Sequence, residues 1–257
     1  MNDPASVMGI VNVTPDSFSG DGLLDQCERV VELAERMVAE GAAILDVGGE
    51  STRPGHTPVS LDEELRRVIP AIRELSKRFS LPISVDTSKA EVARRALSEG
   101  AAIVNDVSGL RDTRMIEVAA GAGARLILVH HGVPKADDVM GDVVAALGRL
   151  VQNAEQRGVR AGNIVVDPGL GIGGKDWRSN FVIVRNLASL SILGKPVLVG
   201  ASRKGMISRV LGSDVQDRLA GSLALATMCI AGGASIVRAH DVAETVDVAK
   251  MMAAILG

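Results

Sequence analysis

Two kinds of segment alternate along the chain. Short apolar runs, rich in β-branched residues, occur at 7–13, 43–47, 83–85, 103–107, 126–129, 164–166, 197–199 and 236–237. Runs of this length and character predict strands buried on both faces. Between them lie longer stretches in which apolar residues recur every three or four positions, the period of a helix. Over 24–38 one face carries Leu24, Cys27, Val30, Val31, Ala34, Met37 and Val38, the other Glu28, Arg29, Glu32, Glu35 and Arg36, and Gly41 ends the helix. Ser60 with Glu63, and Ser88 with Glu91, read as capping boxes that open two further helices. Helices are also predicted around 112–121, 139–157, 178–190, 204–211, 215–231 and 242–256. Eight strands, each followed by a helix, imply a parallel sheet. Right-handed crossovers from each strand to the next close most simply into an α/β (β/α)8 TIM barrel. With no linker or composition break, residues 1–257 read as a single domain. An open doubly wound sheet is the alternative, and eight units of near-equal length favour closure.

Composition sharpens this picture. The chain's 257 residues are close to the roughly 250 of a typical barrel of this kind. Aromatic residues make up 2% and hydrophobic residues 47%, so the core must be built from Val, Ile, Leu, Ala and Met. A net charge of −3 gives no footprint for nucleic acid, so an anionic substrate must be met by a few placed cations. Cys27 and Cys229 have no metal-ligand spacing and read as reduced thiols of a cytoplasmic protein. No signal-peptide pattern is visible. No apolar stretch reaches the roughly 20 residues of a membrane span, so no membrane partner is expected.

In a (β/α)8 barrel the active site lies at the carboxyl ends of the strands. Those ends carry Asn12, Asp46, Asp86, Asn105 with Asp106, His130 with His131, Asp167, Ser202 with Arg203 and Lys204, and Arg238 with His240 and Asp241. Any one alone reads equally well as a helix cap or a solvated loop residue. For Asp46 and Asp241 that bland reading stands beside the functional one. All eight ends being polar points to convergence on one ligand, because charge buried at a barrel mouth needs a partner. Arg203, Lys204, Arg238 and His240 come from the last two strands, the side of a barrel that commonly holds phosphate. Asp86, Asn105 and Asp167 offer acceptors, with one amide that also donates. Together they suit a nitrogen heterocycle bearing a phosphate or diphosphate.

The local sequences at these positions resemble those of the dihydropteroate synthase family. Gly9-Ile-Val-Asn-Val-Thr-Pro-Asp-Ser-Phe-Ser19 is similar to its first signature, and Asp46-Val-Gly-Gly-Glu-Ser-Thr-Arg-Pro-Gly55 to its second. Val85-Asp-Thr87, Asn105-Asp106, Asp167-Pro-Gly169, Ser202-Arg-Lys204 and Arg238-Ala-His240 follow in register. The resemblance implies an enzyme that joins a pterin methyl diphosphate to 4-aminobenzoate and releases diphosphate. It implies that Asp86, Asn105, Asp167 and Lys204 bind the pterin. Asn12 would meet the diphosphate and help hold Mg2+, with Arg238 and His240 on the phosphates, and Lys204 would share in catalysis. Thr52, Arg53 and Pro54 would form a second-substrate loop that Asp21 reaches, with Ser202 and Thr52 near 4-aminobenzoate. The implied reaction is dissociative, under loops 14–23 and 50–60 closed against water. A homodimer through the helices at 215–231 and 242–256 is implied as well, as is a place among sulfonamide targets.

The chain departs from the family pattern at several points. Ser19-Gly-Asp-Gly22 replaces the usual Ser-Asp-Gly-Gly, and His130-His131 replaces His-Met. Leu170 and Ile172 stand where Phe is common, and Gly173-Gly174 before Lys175 adds one residue. The Gly-rich approach to Lys175 lacks the spacing and the Ser/Thr of a P-loop. It reads instead as a close backbone turn over a flat ligand. Two other readings stay open: a methyltransferase passing a methyl group from methyltetrahydrofolate to a corrinoid protein, and a non-catalytic pterin-binding paralogue.

Overall fold

The computed structural model describes residues 3–13, 23–50, 58–135 and 137–257, with backbone alone for 23–26. The eight apolar runs form β1 (Ser6–Asn12), β2 (Ile44–Gly48), β3 (Ile83–Asp86), β4 (Ile103–Asp106), β5 (Arg125–Val129), β6 (Ile164–Asp167), β7 (Leu198–Gly200) and β8 (Ile236–Ala239). Every pairing is parallel, in the order β6-β5-β4-β3-β2-β1-β8-β7. The ring closes between β6 and β7 through a bridge of Val166 with Val197, where the Val166 N–H donates to the Pro196 carbonyl at 3.0 Å. The result is a single-domain (β/α)8 barrel, as the strand–helix alternation predicts.

Nine helices among the described residues wrap this barrel: α1 (Leu23–Ala39), α2 (Leu61–Arg78), α3 (Ala90–Ser98), α4 (Met115–Ala122), α5 (Val139–Gln156), α6 (Trp177–Arg185), α7 (Gly205–Leu211), α8 (Leu219–Ala231) and α9 (Val242–Leu256). The short α7 is an addition between β7 and α8. The Ser60 cap is real, since its hydroxyl accepts the Glu63 N–H at 3.2 Å. The Ser88 cap is not. Helix α3 starts at Ala90 behind Lys89 with no side-chain cap from its own N-cap residue. Asp112 accepts the Ala90 N–H at 3.2 Å instead, and Thr87 accepts the Lys89 N–H at 3.1 Å. A threonine upstream and an aspartate from the next turn of the barrel have taken the role that local spacing assigned to Ser88.

Successive side chains of a strand point to opposite faces. One set, including Val7, Val11, Leu45, Val47, Val85, Val104 and Val166, packs outward against the helices. The other set fills the barrel. Met8, Ile44, Ile103, Ile127, Val165, Leu198 and Ile236 form a dry layer toward the amino ends of the strands. Two residues further along the same faces, the interior turns polar: Asp46 after Ile44, Asn105 after Ile103, Asp167 after Val165 and Arg238 after Ile236. Asp46 is therefore no strand-end cap. It lies inside β2, fully buried. No helix among the described residues is long and apolar enough to cross a membrane.

Candidate active site

The polar upper layer of the barrel is one hydrogen-bonded group. Arg238 donates from Nε to Asp46 Oδ2 at 2.6 Å and from Nη2 to Asp86 Oδ2 at 2.7 Å. Asn105 Nδ2 donates to the same Asp46 oxygen at 3.1 Å. Asp46 Oδ1 and Asn105 Oδ1 are buried with no protein partner, which is costly in a dry interior. Burial pushes the Asp86 carboxyl up to about 7, with Arg238 pulling the other way. Burial works against the Arg238 charge too, and Asp46 and Asp86 more than offset it. Asp167, at the end of β6, is 5% exposed and accepts the Gly169 N–H at 2.7 Å. Burial raises its pKa, opposed by that N–H and by Lys204, Lys175 and Arg238. Burial also lowers the Lys204 ammonium to about 8.

Above this layer opens a cavity of about 990 Å³. Asn12, Asp86, Ser202, Lys204, Arg238 and His240 line it, so six far-separated candidates of the sequence meet in one place, whereas Asn105 and Asp167 are buried and are not among the residues that line it. Ser202 and His240 form their own pair. The Ser202 hydroxyl lies 3.0 Å from His240 Nδ1 and accepts the His240 N–H at 3.2 Å. Trp177, Lys175 and Ile172 add a second wall from the β6–α6 connection. Asp21, Thr52, Arg53 and Pro54 lie outside the described residues, as do 14–22 and 51–57 of the two closing loops. The start of the second loop is anchored: Lys89 donates to Glu50 at 2.6 Å and to the buried Glu64 of α2, and Thr87 donates to Glu64 at 2.6 Å.

Several readings need correction. Arg203 lines the cavity but is already paired. Its guanidinium is spent on Asp241, with bonds of 3.2 and 2.5 Å. Its backbone sits at φ 54°, a left-handed conformation unfavourable for a side chain this large. Ser222 accepts its N–H and Arg218 donates to its carbonyl, which hold it there. Asp241 stands at the N-cap position of α9 but caps nothing with its side chain. Asp106 serves the loop after β4, accepting the Ser108 and Leu110 N–H groups at 2.9 and 2.7 Å. His131 is exposed, 3.0 Å from the Val107 carbonyl, and does not line the cavity. Of the glycines after Asp167, Gly171 lines the cavity, and two others accommodate protein. Gly169 (φ 68°) and Gly173 (φ 71°) press against the backbone of His130 and Gly132, where any side-chain carbon would collide. Asp46, for which the sequence left cap and site readings open, pairs with Arg238 and Asn105, and Lys175, which carried no sequence role, lines the cavity.

A family model described as pterin binding enzyme matches residues 8–240. The dihydropteroate synthase of Escherichia coli (strain K12) is 42% identical over 258 residues, which take in 97% of this chain and 91% of that enzyme. The chain belongs to the dihydropteroate synthase family. The solved Clostridium difficile dihydropteroate synthase, determined in the presence of pteroic acid, superposes with a TM-score of 0.94 at 43% identity, covering 98% of this chain and 97% of that one. The Xanthomonas albilineans dihydropteroate synthase with 4-aminobenzoic acid gives a TM-score of 0.94 at 42% identity, covering 100% of this chain and 94% of that one. As in other dihydropteroate synthases, the reaction is a transfer in folate biosynthesis: (7,8-dihydropterin-6-yl)methyl diphosphate and 4-aminobenzoate give 7,8-dihydropteroate and diphosphate. The methyltransferase and non-catalytic readings are not favoured.

Proposed function

We propose that this dihydropteroate synthase divides its reaction between two walls of the cavity. The observation that carries the proposal is one cavity lined by the buried Asp86 carboxylate and the cations Arg238 and Lys204, with Asp167 buried at the end of β6. On the heterocycle wall, Asp167 accepts paired N–H bonds from the pterin 2-amino group and N3. The unpartnered Asn105 Oδ1 takes a further ring donor, and Lys204 donates to the ring oxygen or N5. Asp86 completes this wall from the Arg238 side.

On the leaving-group wall, His240 and Asn12 meet the diphosphate, with Ser202 fixing the His240 ring. The pairing of Arg238 with Asp46 and Asp86 changes its expected part. Its guanidinium stands between the pterin edge and the diphosphate and serves both, instead of acting on phosphate alone. Fixed cations aimed at the departing oxygens lower the barrier to diphosphate loss without reorganising during the step. The arylamine is nucleophilic at neutral pH, so the chain needs no base to activate it. Thr52, Arg53, Pro54 and Asp21 belong to the loops that exclude water around the methylene cation.

Magnesium fits this donor set in one way. No group of three or more His, Cys, Asp or Glu among the described residues is placed to hold a metal. Asn12 offers a single amide oxygen at the cavity. That suits Mg2+ held chiefly by substrate phosphate oxygens, with the protein adding one ligand. When bound, the ion neutralises charge on the leaving diphosphate.

The substrates are small molecules, the thiols Cys27 and Cys229 are free, and a cytoplasmic enzyme is the matching reading. A homodimer completes it. Helix α8 is apolar nearly all round yet leaves Met228 exposed, and α9 exposes Met251, Ile255 and Leu256. Apolar residues clustered on two adjacent helices suit a second copy of the chain. Sedimentation should give twice the monomer mass for the native chain and a monomer for Met251→Asp with Ile255→Asp.

The test of the reaction is diphosphate release, measured with and without 4-aminobenzoate. Sustained multiple-turnover release should require 4-aminobenzoate and fall when Mg2+ is chelated. Binding of the pterin diphosphate without turnover at saturating 4-aminobenzoate and Mg2+ would overturn the proposal.

A further inference from the structure

Lys175 takes no part in the reading above, yet its surroundings are unusual for a lysine. It is 8% exposed, and its ammonium donates to the His130 carbonyl at 2.8 Å and the Ile172 carbonyl at 3.0 Å. Those two carbonyls belong to different connections, one after β5 and one after β6. The glycine positions explain how they come together. Gly169 turns the chain against the His130 carbonyl, and a side-chain carbon there would stand 3.2 Å from Lys175 Nζ. Gly169 is also the residue whose N–H caps Asp167 at 2.7 Å. The ammonium therefore sits directly behind the backbone that holds Asp167.

An ammonium held by two neutral carbonyls has no counter-charge in contact with it. A buried charge without a partner is costly and persists where another charge gains from it. The anion near Lys175 is Asp167, and no salt bridge joins the two; they act on each other through space.

We propose that Lys175 is a positioning residue of the pterin site, whose clamped ammonium keeps Asp167 anionic and fixes the backbone that orients it beneath the heterocycle. The proposal rests on the assignment of Asp167 to the pterin edge. The groups facing Asp167 are Lys175 from its own connection, Lys204 from the β7–α7 connection, Arg238 from β8 and the Cys229 thiol from α8. Lys175 in turn faces Asp167, Lys204 and the neutral ring of His130. Burial drives both Asp167 and Lys175 toward their neutral forms, and each draws the other back toward its charged form.

The sign of the effect follows. Removing the Lys175 charge raises the Asp167 pKa further, so the carboxylate that accepts the ring N–H groups is lost at a higher pH. Binding of the pterin diphosphate, followed by titration calorimetry from pH 5 to 8 in Mg2+ without 4-aminobenzoate, should weaken about tenfold at neutral pH in Lys175→Met. Its acid limb should move up by about one pH unit. Lys175→Arg should keep the wild-type limb, and Lys175→Gln, which keeps a donor but no charge, should follow Met. KM for 4-aminobenzoate should stay near wild type. In an Asp167→Asn background the Met substitution should no longer move the limb. Wild-type affinity and an unmoved limb in both Met and Gln variants would overturn the role of Lys175. Wild-type affinity in Asp167→Asn itself would instead overturn the underlying pterin assignment. If Lys175→Met fails to fold, the Gln and Arg pair gives the same decision.

Discussion

The two ends of the barrel interior are built from the same strands and the same alternation, yet they do different work. The amino-end layer of Met8, Ile44, Ile103, Ile127, Val165, Leu198 and Ile236 is apolar and sealed. The layer two residues further on holds Asp46, Asp86, Asn105, Asp167 and Arg238, with acceptor atoms left unpaired. The lower layer is stabilising in itself, through surface removed from water. The upper layer is tolerable only because its charges compensate one another, and it remains incomplete until a ligand arrives. The pattern teaches that one step of two residues along a strand separates stability from binding in this fold.

Substitutions can break that contrast or sharpen it. The largest effect is expected for Asp167→Ala, which removes the charged partner of two ring N–H groups. Pterin diphosphate binding, read by calorimetry, should fall by at least about a hundredfold. A circular dichroism spectrum and melt like wild type should accompany that loss. Next comes Arg238→Ala, which leaves Asp46 and Asp86 as buried carboxylates without their cation. Urea unfolding should show a loss of about 3–5 kcal/mol, together with slower turnover. Undiminished stability would mean that the upper layer does not depend on charge compensation. Ile127→Ala probes the opposite end. It should cost about 2–5 kcal/mol through the cavity it leaves, while KM for both substrates stays near wild type in the folded fraction. A large rise in KM there would erase the division between the layers.

The smallest effect concerns His130, buried between the two wall connections with Nδ1 unpartnered. Burial, with Lys175 adding to it, lowers its pKa from 6.5 to about 4. The native ring therefore stays neutral where the unfolded chain binds a proton. Its contribution to stability is present above about pH 6.5 and is lost as pH falls toward 4. Melting temperatures of wild type and His130→Gln should converge over that interval. Parallel curves would show that His130 has no such linkage.

Much of this architecture was legible in the residues alone. All eight strands lie within two residues of the apolar runs, because a strand buried on both faces leaves a continuous hydrophobic signature. That Asn12, Asp86, Lys204, Arg238 and His240 line one cavity was legible because each sits at or near the end of an apolar run. What escaped depends on partners distant in the chain. Asp46 stayed open between cap and site because its partner, Arg238, is 192 positions away. Arg203 looked like a phosphate ligand because Asp241 and the left-handed backbone that commits it appear only in three dimensions. Ser88 failed as a cap because α3 starts one residue later, behind Lys89, and Asp112 accepts the Ala90 N–H from another connection. Lys175 was given no role in the sequence because its partners, the His130 and Ile172 carbonyls, come together only through the turns at Gly169 and Gly173.

The closure of the barrel carries one more consequence. The β6–β7 join, with its lone bridge between Val166 and Val197, is the thinnest seam in the ring. Asp167 ends the strand on one side of it and Lys204 follows the strand on the other. A heterocycle gripped by both would staple the cylinder shut at the place most prone to part. Bound substrate should then slow amide exchange at Val166 and its neighbours more than on the opposite side of the ring, so that the ligand finishes the wall that encloses it.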